Sequence, residues 1–379
     1  MKVLFIIQGE GRGHLTQALT LADMLRENGH EVVEMLVGKS CARQLPAFFL
    51  EKAQAPVHRF DSPNFLPSAD NRRVSLLRSI GYNIMKAPRY LAAMLFLRRR
   101  IRESGADLVV NFYEVLCGLT YGLFRPQVPE VCVGHQYLFL HPEFRFPEGR
   151  EWQRRFMMMF TRLTAWGSQR RLALSIRRQF DDPSQRLTIV PPLLRREVKD
   201  AVRHRGNFIT GYLLNAGYSD YVVEWHRRHP EVSLHFFWDN REAGPEMRVD
   251  DTLTFHQIDD EKFLYYLANC RAYASTAGFE SVCEALYMGK PALMVPVHIE
   301  QQCNACDAER EGVGITDDRF SLDRLIRFSR VYMEDGEFRL WENQASQRII
   351  AVLQNVCEDY WLPRVSQPQA PLTVGVACS

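Results

Sequence analysis

Long apolar runs are what this chain of 379 residues most plainly lacks. The longest, Tyr90 to Leu97, is far short of a bilayer-spanning helix, and no apolar stretch follows a basic start at the amino terminus. A cytoplasmic protein, soluble or held at the inner face of a membrane, is the expectation. Charge of one sign is also missing overall, since 47 Lys and Arg stand against 45 Asp and Glu. No nucleic-acid partner is expected. The nine cysteines are odd in number, scattered and often inside apolar runs, which excludes a disulfide scaffold and fits reduced thiols. The lone C-x-x-C, Cys303 and Cys306, sits in a helix-like setting without a second pair and reads as structural. His226 and His229 lack the H-E-x-x-H arrangement, D-x-D is absent, and no internal repeat of about 20 to 50 residues is visible.

What is present is an ordinary globular composition, 46% hydrophobic and 24% charged, in a chain long enough for two domains. The neutrality hides an asymmetry. Residues 1–190 carry 27 Lys and Arg against 17 Asp and Glu, a net of +10, and the remainder carries a net of −8. The basic half either faces something anionic, such as a membrane surface or a phosphorylated acceptor, or attracts the acidic half. Two arginine-rich stretches, 86–104 and 151–171, have apolar residues at helical spacing. Each reads as an interfacial helix or as an ordinary helix covering a sheet.

Strand-like and helix-like segments alternate. The first series runs through strands at 2–7, 31–37, 57–60, 107–111 and 130–134, with helices about 14–28, 40–52 and 115–123 and another ending near Ser104. After "RLALSI" and "LTIV" comes "PPLLRREVKD", whose prolines and charges mark a linker. A second series follows, with strands at 207–212, 233–238, 271–275 and 291–297. Its helices fall near 218–229, 260–269, 279–288, 301–312, 321–334 and 337–357. Alternation predicts an α/β protein with two doubly wound, Rossmann-like domains facing a central cleft, with ligands at the carboxyl ends of the strands.

"GEGRGH" at 9–14 follows the first strand. Gly11 and Gly13 let backbone approach a bound group, and the helix that follows favours an anion. A dinucleotide fingerprint would need glycine at 14, where His14 stands. At a cleft mouth beside a positive helix end, His14 is expected to be neutral and to act as a general base. Glu114, just past the strand 107–111, and Glu10 are the carboxylates expected to orient it. In "STAGFESVCEALYMGKPALMVPVHIEQQCNA" at 275–305, Thr276, Ala277, Gly278 and Ser281 at a helix start suit a diphosphate. Glu284, one turn on, suits a ribose, and Glu300 and Gln301 suit a hydroxyl-rich ligand. Together these read as a nucleotide-sugar site.

This stretch resembles the donor signature of GT-B glycosyltransferases, H-G-G-x-x-S-x-x-E-x-x-x-x-G-x-P, then an acidic residue or Gln, Gln, and N-A. It is carried here by Thr276, Ala277, Gly278, Ser281, Glu284, Gly289, Pro291, Glu300, Gln301, Asn304 and Ala305. Thr276 replaces the family histidine and Ala277 a glycine. Residues 9–32 are similar to the amino-terminal motif of the UDP-glycosyltransferases and of the peptidoglycan-precursor N-acetylglucosaminyltransferase. The resemblance implies a GT-B fold and a base role for His14. It implies diphosphate contacts from Gly278 and Ser281, ribose contact from Glu284, and donor-sugar contacts from Glu300 and Gln301. It further implies a uracil contact from Ile258 and an acceptor pocket lined by His135 and Gln136. The phosphate loop of some members is missing, and Asn215 and Gly217 are the candidates in its place. Retaining members carry a Glu where Thr276 stands, so inversion is implied.

The expected activity is transfer of a sugar from a nucleoside diphosphate, UDP in the first instance, to a hydroxyl-bearing acceptor, lipid-linked or a glycan. Without D-x-D, no metal and no cofactor are expected. Two other readings stay open: a UDP-N-acetylglucosamine 2-epimerase-like enzyme and a non-catalytic nucleotide-sugar-binding protein. The expected domains are 1–190 on the acceptor side, a linker at 191–204, and 205–336 for the donor. A helix at 337–361 would return to the first domain, with a loose tail at 362–379.

Overall fold

The computed structural model describes residues 1–40, 44–63, 83, 85–214, 216–240 and 243–362. Asn215 and the tail from 363 lie outside the described residues, as does much of the stretch between 64 and 84. The first sheet has seven strands: β1 Lys2–Gln8, β2 Glu31–Gly38, β3 Val57–Phe60, β4 Leu108–Phe112, β5 Glu130–Gly134, β6 Arg170–Leu174 and β7 Leu187–Val190. Their order is β3-β2-β1-β4-β5-β6-β7 and every pairing is parallel. Val3 to Ile7 are completely buried because helices cover both faces of a parallel sheet. Val3, Phe5 and Ile7 pack with Leu15, Ala18 and Leu21 of the helix Arg12–Glu27, whereas Leu4 and Ile6 face the cluster holding Leu97 of the helix Ala87–Glu103.

The first helix ends in a Schellman turn, where Gly29 at φ +75° lets Gly29 N–H reach Arg26 O and His30 N–H reach Leu25 O. Its start corrects the sequence expectation. The helix begins at Arg12, so His14 lies in its first turn rather than in the loop before it.

The second sheet also has seven strands: β8 Ile209–Leu213, β9 Leu234–Trp238, β10 Glu246–Arg248, β11 Leu253–Gln257, β12 Ala272–Ser275, β13 Ala292–Met294 and β14 Gly314–Thr316. The order is β10-β11-β9-β8-β12-β13-β14, with only β10 antiparallel. Three of these strands escaped the sequence reading for a physical reason. β10 and β14 have three residues each, and β10 is exposed throughout, so no apolar alternation marks it. β11 carries polar Thr254, His256 and Gln257 among its apolar residues.

Each sheet reverses strand order once, between β1 and β4 and between β8 and β12, and ligands bind outside such switch points. The connection between the sheets is not loose. Leu193, Leu194 and Val198 are buried in one apolar cluster that runs from the first sheet into the second domain. The expected helix 337–357 is two, Glu337–Glu342 and Ala345–Trp361. They return to the first sheet through Trp341 Nε1 donating to Ser175 O at 2.9 Å and Arg348 Nε donating to Ile189 O at 2.7 Å. Among the described residues no helix is long and apolar enough to cross a membrane, and the seven described cysteines are free thiols.

Candidate active site

The end of β1 and the end of β12 confront each other. Gly9 is needed where β1 turns, since an added Cβ would lie 2.6 Å from Val37 Cγ1 and 2.9 Å from Gly38 O. Gly11 then caps the first helix without a side chain. Opposite, β12 leads through buried Thr276 and Ala277 to Gly278, which caps the helix Phe279–Tyr287. Ala277 has φ +60°, a left-handed conformation that costs a non-glycine residue about 1–2 kcal/mol. Ser281 Oγ donates to Gly278 O at 3.2 Å. The walls touch: buried Gln17 Nε2 donates to Glu280 Oε1, and Arg12 pairs with Asp260 at 2.7 Å.

His14 is half-buried at this junction and stacks on Tyr113 with ring centroids 5.7 Å apart. Its Nδ1 lies 3.2 Å from Gln17 Oε1 and its Nε2 lies 3.4 Å from Gln136 Nε2. Burial lowers its proton affinity and the nearby His135 lowers it further, while Glu280 foremost, then Glu300 and the Gln17 bond, hold it up. The ring is therefore neutral near pH 7. Tyr113 is itself unusual, a non-glycine residue at φ +59° just after β4, held by its hydroxyl on Thr161 at 2.7 Å. Such backbone strain costs of order 1–3 kcal/mol and clusters at functional sites.

The expected orienting carboxylates are engaged elsewhere, which is a correction. Glu114 is completely buried, accepts from Ser62 Oγ at 2.7 Å and caps the next helix through Leu116 N–H at 3.1 Å. Its carboxyl occupies space that exists only because residue 38 is glycine. Burial raises its pKa to about 7. Glu10 Oε1 accepts from Ser40 N–H at 2.6 Å, at the end of β2. The side chain on His14 Nδ1 is Gln17, which the sequence reading passed over.

Past β5, a single 3-10 helix, His135–Leu140, presents His135 and Gln136 to the second domain. His135 stacks on Phe279 at 4.5 Å, and its Nε2 lies 3.0 Å from Glu300 Oε1. Gln136 Nε2 donates to the same oxygen at 3.1 Å. Burial alone would raise the Glu300 pKa, but the His135 bond and the neighbouring His135, His298 and His14 outweigh it and hold the carboxyl at about 2. Gln301 Oε1 accepts from Val297 N–H at 2.9 Å and shapes the turn into the helix Ile299–Arg310.

Glu284 pairs with Arg195 of the connecting segment at 2.8 Å, and Arg195 also lies 3.7 Å from Asp260. Ile258 is half-buried between β11 and the helix Asp260–Asn269. Thus His14, His135, Gln136 and Glu300 form one hydrogen-bonded group, and Gly11, Gly13, Gly278 and Ser281 line the facing helix starts. Arg12, Gln17, Tyr113, Arg195, Asp260 and Glu280 were missed. Only the one-turn spacing of Gln17 from His14 could have signalled any of them.

Two larger cavities lie away from His14. One of about 630 Å³ at the amino ends of β12 and β13 is lined by Arg203, Arg205, Arg271 and Lys290. Carbonyls near helix carboxyl ends hold three of these head groups: Tyr287 O takes Arg203, Ser329 O takes Arg205 and Cys270 O takes Lys290, while Arg271 donates to Ser329 Oγ. A second cavity of about 560 Å³ lies between Lys52, Arg195 and Leu264.

The model of glycosyl transferase family 1 matches residues 1–331. Similar solved structures include the glycotransferase of kitacinnamycin, 17% identical over 94% of this chain and 98% of that one, with a TM-score of 0.61. LpCGTa in complex with UDP is 14% identical over 94% and 99%, with a TM-score of 0.62. MurG of Acinetobacter baumannii is 15% identical over 93% and 99%, with a TM-score of 0.54. A protein of Caenorhabditis elegans, ugt-48, whose name places it with UDP-glucuronosyltransferases, is 38% identical over 52 residues, 14% of this chain and 10% of that protein. The match spans only that small part of the curated relative. The two opposed switch points, the shared GT-B fold and the family match over most of the length lead to one conclusion: this chain belongs to glycosyl transferase family 1 and is a glycosyltransferase.

Proposed function

We propose that the cleft transfers a sugar from a nucleoside diphosphate, UDP by likeness to the UDP-bound neighbour, to a hydroxyl acceptor with inversion and without a metal. The observation that carries this reading is the imidazole of His14, in the first turn of one helix, set opposite the glycine-capped start of another. The acceptor hydroxyl gives its proton to His14 Nε2 as its oxygen attacks the anomeric carbon. The bond from that carbon to the diphosphate oxygen breaks, and its electron pair leaves with the diphosphate. The N–H groups and positive end of the helix from Gly278 to Ser281 receive the charge, with the Gly11 and Gly13 backbone facing them.

Glu284 turns from Arg195 to the ribose hydroxyls, Ile258 packs on the base, and Glu300 and Gln301 take the donor sugar. His135 and Gln136 line the acceptor side. Thr276 and Ala277 shape the phosphate turn, and the absence of a carboxylate at 276 supports inversion. The contacts that close the cleft part to admit the donor and re-form once it is bound.

A His14→Ala variant that still binds UDP but loses turnover supports the base assignment, and full turnover in that variant refutes it. The anomeric configuration of the product, read by proton NMR, tests inversion, and unchanged turnover in EDTA tests metal independence. Peripheral membrane association is part of the proposal. Trp152 and Met159 stand 60% and 50% exposed one turn either side of Arg155 on the helix Glu151–Thr164, which suits an anionic surface. Co-sedimentation with anionic vesicles that fails to exceed that with neutral vesicles overturns it.

A further inference from the structure

We infer that Glu280, acting through the side-chain amide of Gln17, is a positioning residue that sets the tautomer of His14, so that the base is assembled only when the two domains meet. The inference rests on the base role proposed above.

Which atoms can donate decides how the network is arranged. An ionised carboxylate accepts and never donates. Gln17 therefore turns its NH₂ group toward Glu280, and this leaves its carbonyl oxygen facing His14 Nδ1 at 3.2 Å. That oxygen can only accept, so Nδ1 carries the proton and Nε2 carries the lone pair. The other end of the network gives the same answer independently. Glu300 demands the NH₂ group of Gln136, and the same nitrogen lies 3.4 Å from His14 Nε2. An amide nitrogen only donates, so Nε2 accepts. The opposite tautomer would set an N–H against an N–H at Gln136 and a lone pair against a lone pair at Gln17.

Both carboxylates that dictate this pattern belong to the second domain, while His14, Gln17 and Gln136 belong to the first. Neither glutamine can choose an orientation without its carboxylate, because an amide offers a donor and an acceptor of nearly equal shape. Closure is therefore what selects the reactive form, and an incoming hydroxyl replaces Gln136 as the donor to Nε2. Gly13 belongs to the same device. A Cβ there would lie 2.5 Å from Glu280 Oε2, so the glycine beside His14 leaves the space that the carboxylate fills. Gln17 is 1% exposed, which shields its amide from competing water.

Glu280→Gln and Gln17→Met test the inference with the full chain. Glu280→Gln keeps the shape but no longer fixes the direction of the Gln17 amide. Its kcat is expected to fall roughly tenfold or more while the donor KM does not rise. The acid limb of the kcat–pH profile moves to lower pH, because a negative charge that raised the proton affinity of His14 is gone. Gln17→Met lowers kcat in the same way. Imidazole ¹⁵N shifts of His14 report a protonated Nδ1 in the wild type and a mixture in Glu280→Gln. Wild-type kcat and an unmoved acid limb in both variants, or a protonated Nε2 in the wild type, overturn the inference. The ¹⁵N measurement on the wild type decides even if a variant fails to fold. Turnover retained by His14→Ala would remove the base reading itself, whereas an inactive His14→Ala beside wild-type behaviour of Glu280→Gln and Gln17→Met removes only the positioning role.

Discussion

The two switch points share one architecture and carry opposite chemistry. At the first, after β1, glycines admit backbone and a first-turn histidine supplies a lone pair. At the second, after β12, a capped helix supplies positive dipole and Glu280, followed by Glu300 two elements on, supplies negative charge. Several contacts run across the cleft from donors in the first domain to carboxylates in the second: Arg12 to Asp260, Gln17 to Glu280, His135 and Gln136 to Glu300, and Arg177 to Asp307 at 3.3 Å. The charge asymmetry of the two halves thus has a definite outlet. Similar folds therefore need not make similar walls; loops at the strand ends decide what each wall offers.

The contrast between the two walls is sharpest at His14. His14→Ala is expected to lower kcat by about 10²–10⁴ while UDP binding measured by calorimetry is retained; an equal loss in binding would make His14 a donor-binding residue and not the base. On the second wall, Glu284→Leu leaves the Arg195 guanidinium, 14% exposed, with the more distant Asp260 as its ion-pair partner within 4 Å among the described residues. Urea unfolding should show a loss of about 3 kcal/mol, and a neutral result would mean that the pair does not hold the connecting segment in place.

A pH comparison probes the first wall again. The folded pKa of Glu114, about 7, stands above its ordinary value of 4.5, so the contribution is complete below 4.5 and declines as pH rises to about 7. Glu114→Gln should therefore gain stability over the wild type at pH 8, by about 1–3 kcal/mol, but not at pH 4.5. Equal differences at both pH values would refute the shift. The smallest effect is expected at Ala277. Ala277→Gly relieves a left-handed alanine and should stabilise by about 0.5–1 kcal/mol, read as a higher Tm; a lower Tm would mean that the turn tolerates the methyl group.

Much of the fold was legible because burial writes itself into sequence. Val3 to Ile7, "DLVVN" and "EVCVG" are apolar runs of strand length, and their alternation with helical periodicity implies parallel sheets. β10 and β14 were not legible, because a three-residue edge strand buries too little to leave a pattern. In the site, His14 and the 276–301 cluster were readable from residue type and spacing. Tyr113, Arg195 and Glu280 were not, since each looks like an ordinary loop or helix-surface residue until another element lies against it.

By itself, then, the sequence determined the two alternating series, the glycine turn ahead of a first-turn histidine, and the glycine-capped helix start after β12, because each depends on neighbours close along the chain. Which carboxylates serve the histidine was decided only in three dimensions. Glu114 is nearer along the chain yet is held by Ser62, whereas Glu280 reaches Gln17 across 263 residues. A hydrogen bond is a short-range interaction, so its partners follow from how the two domains pack and not from distance along the polypeptide.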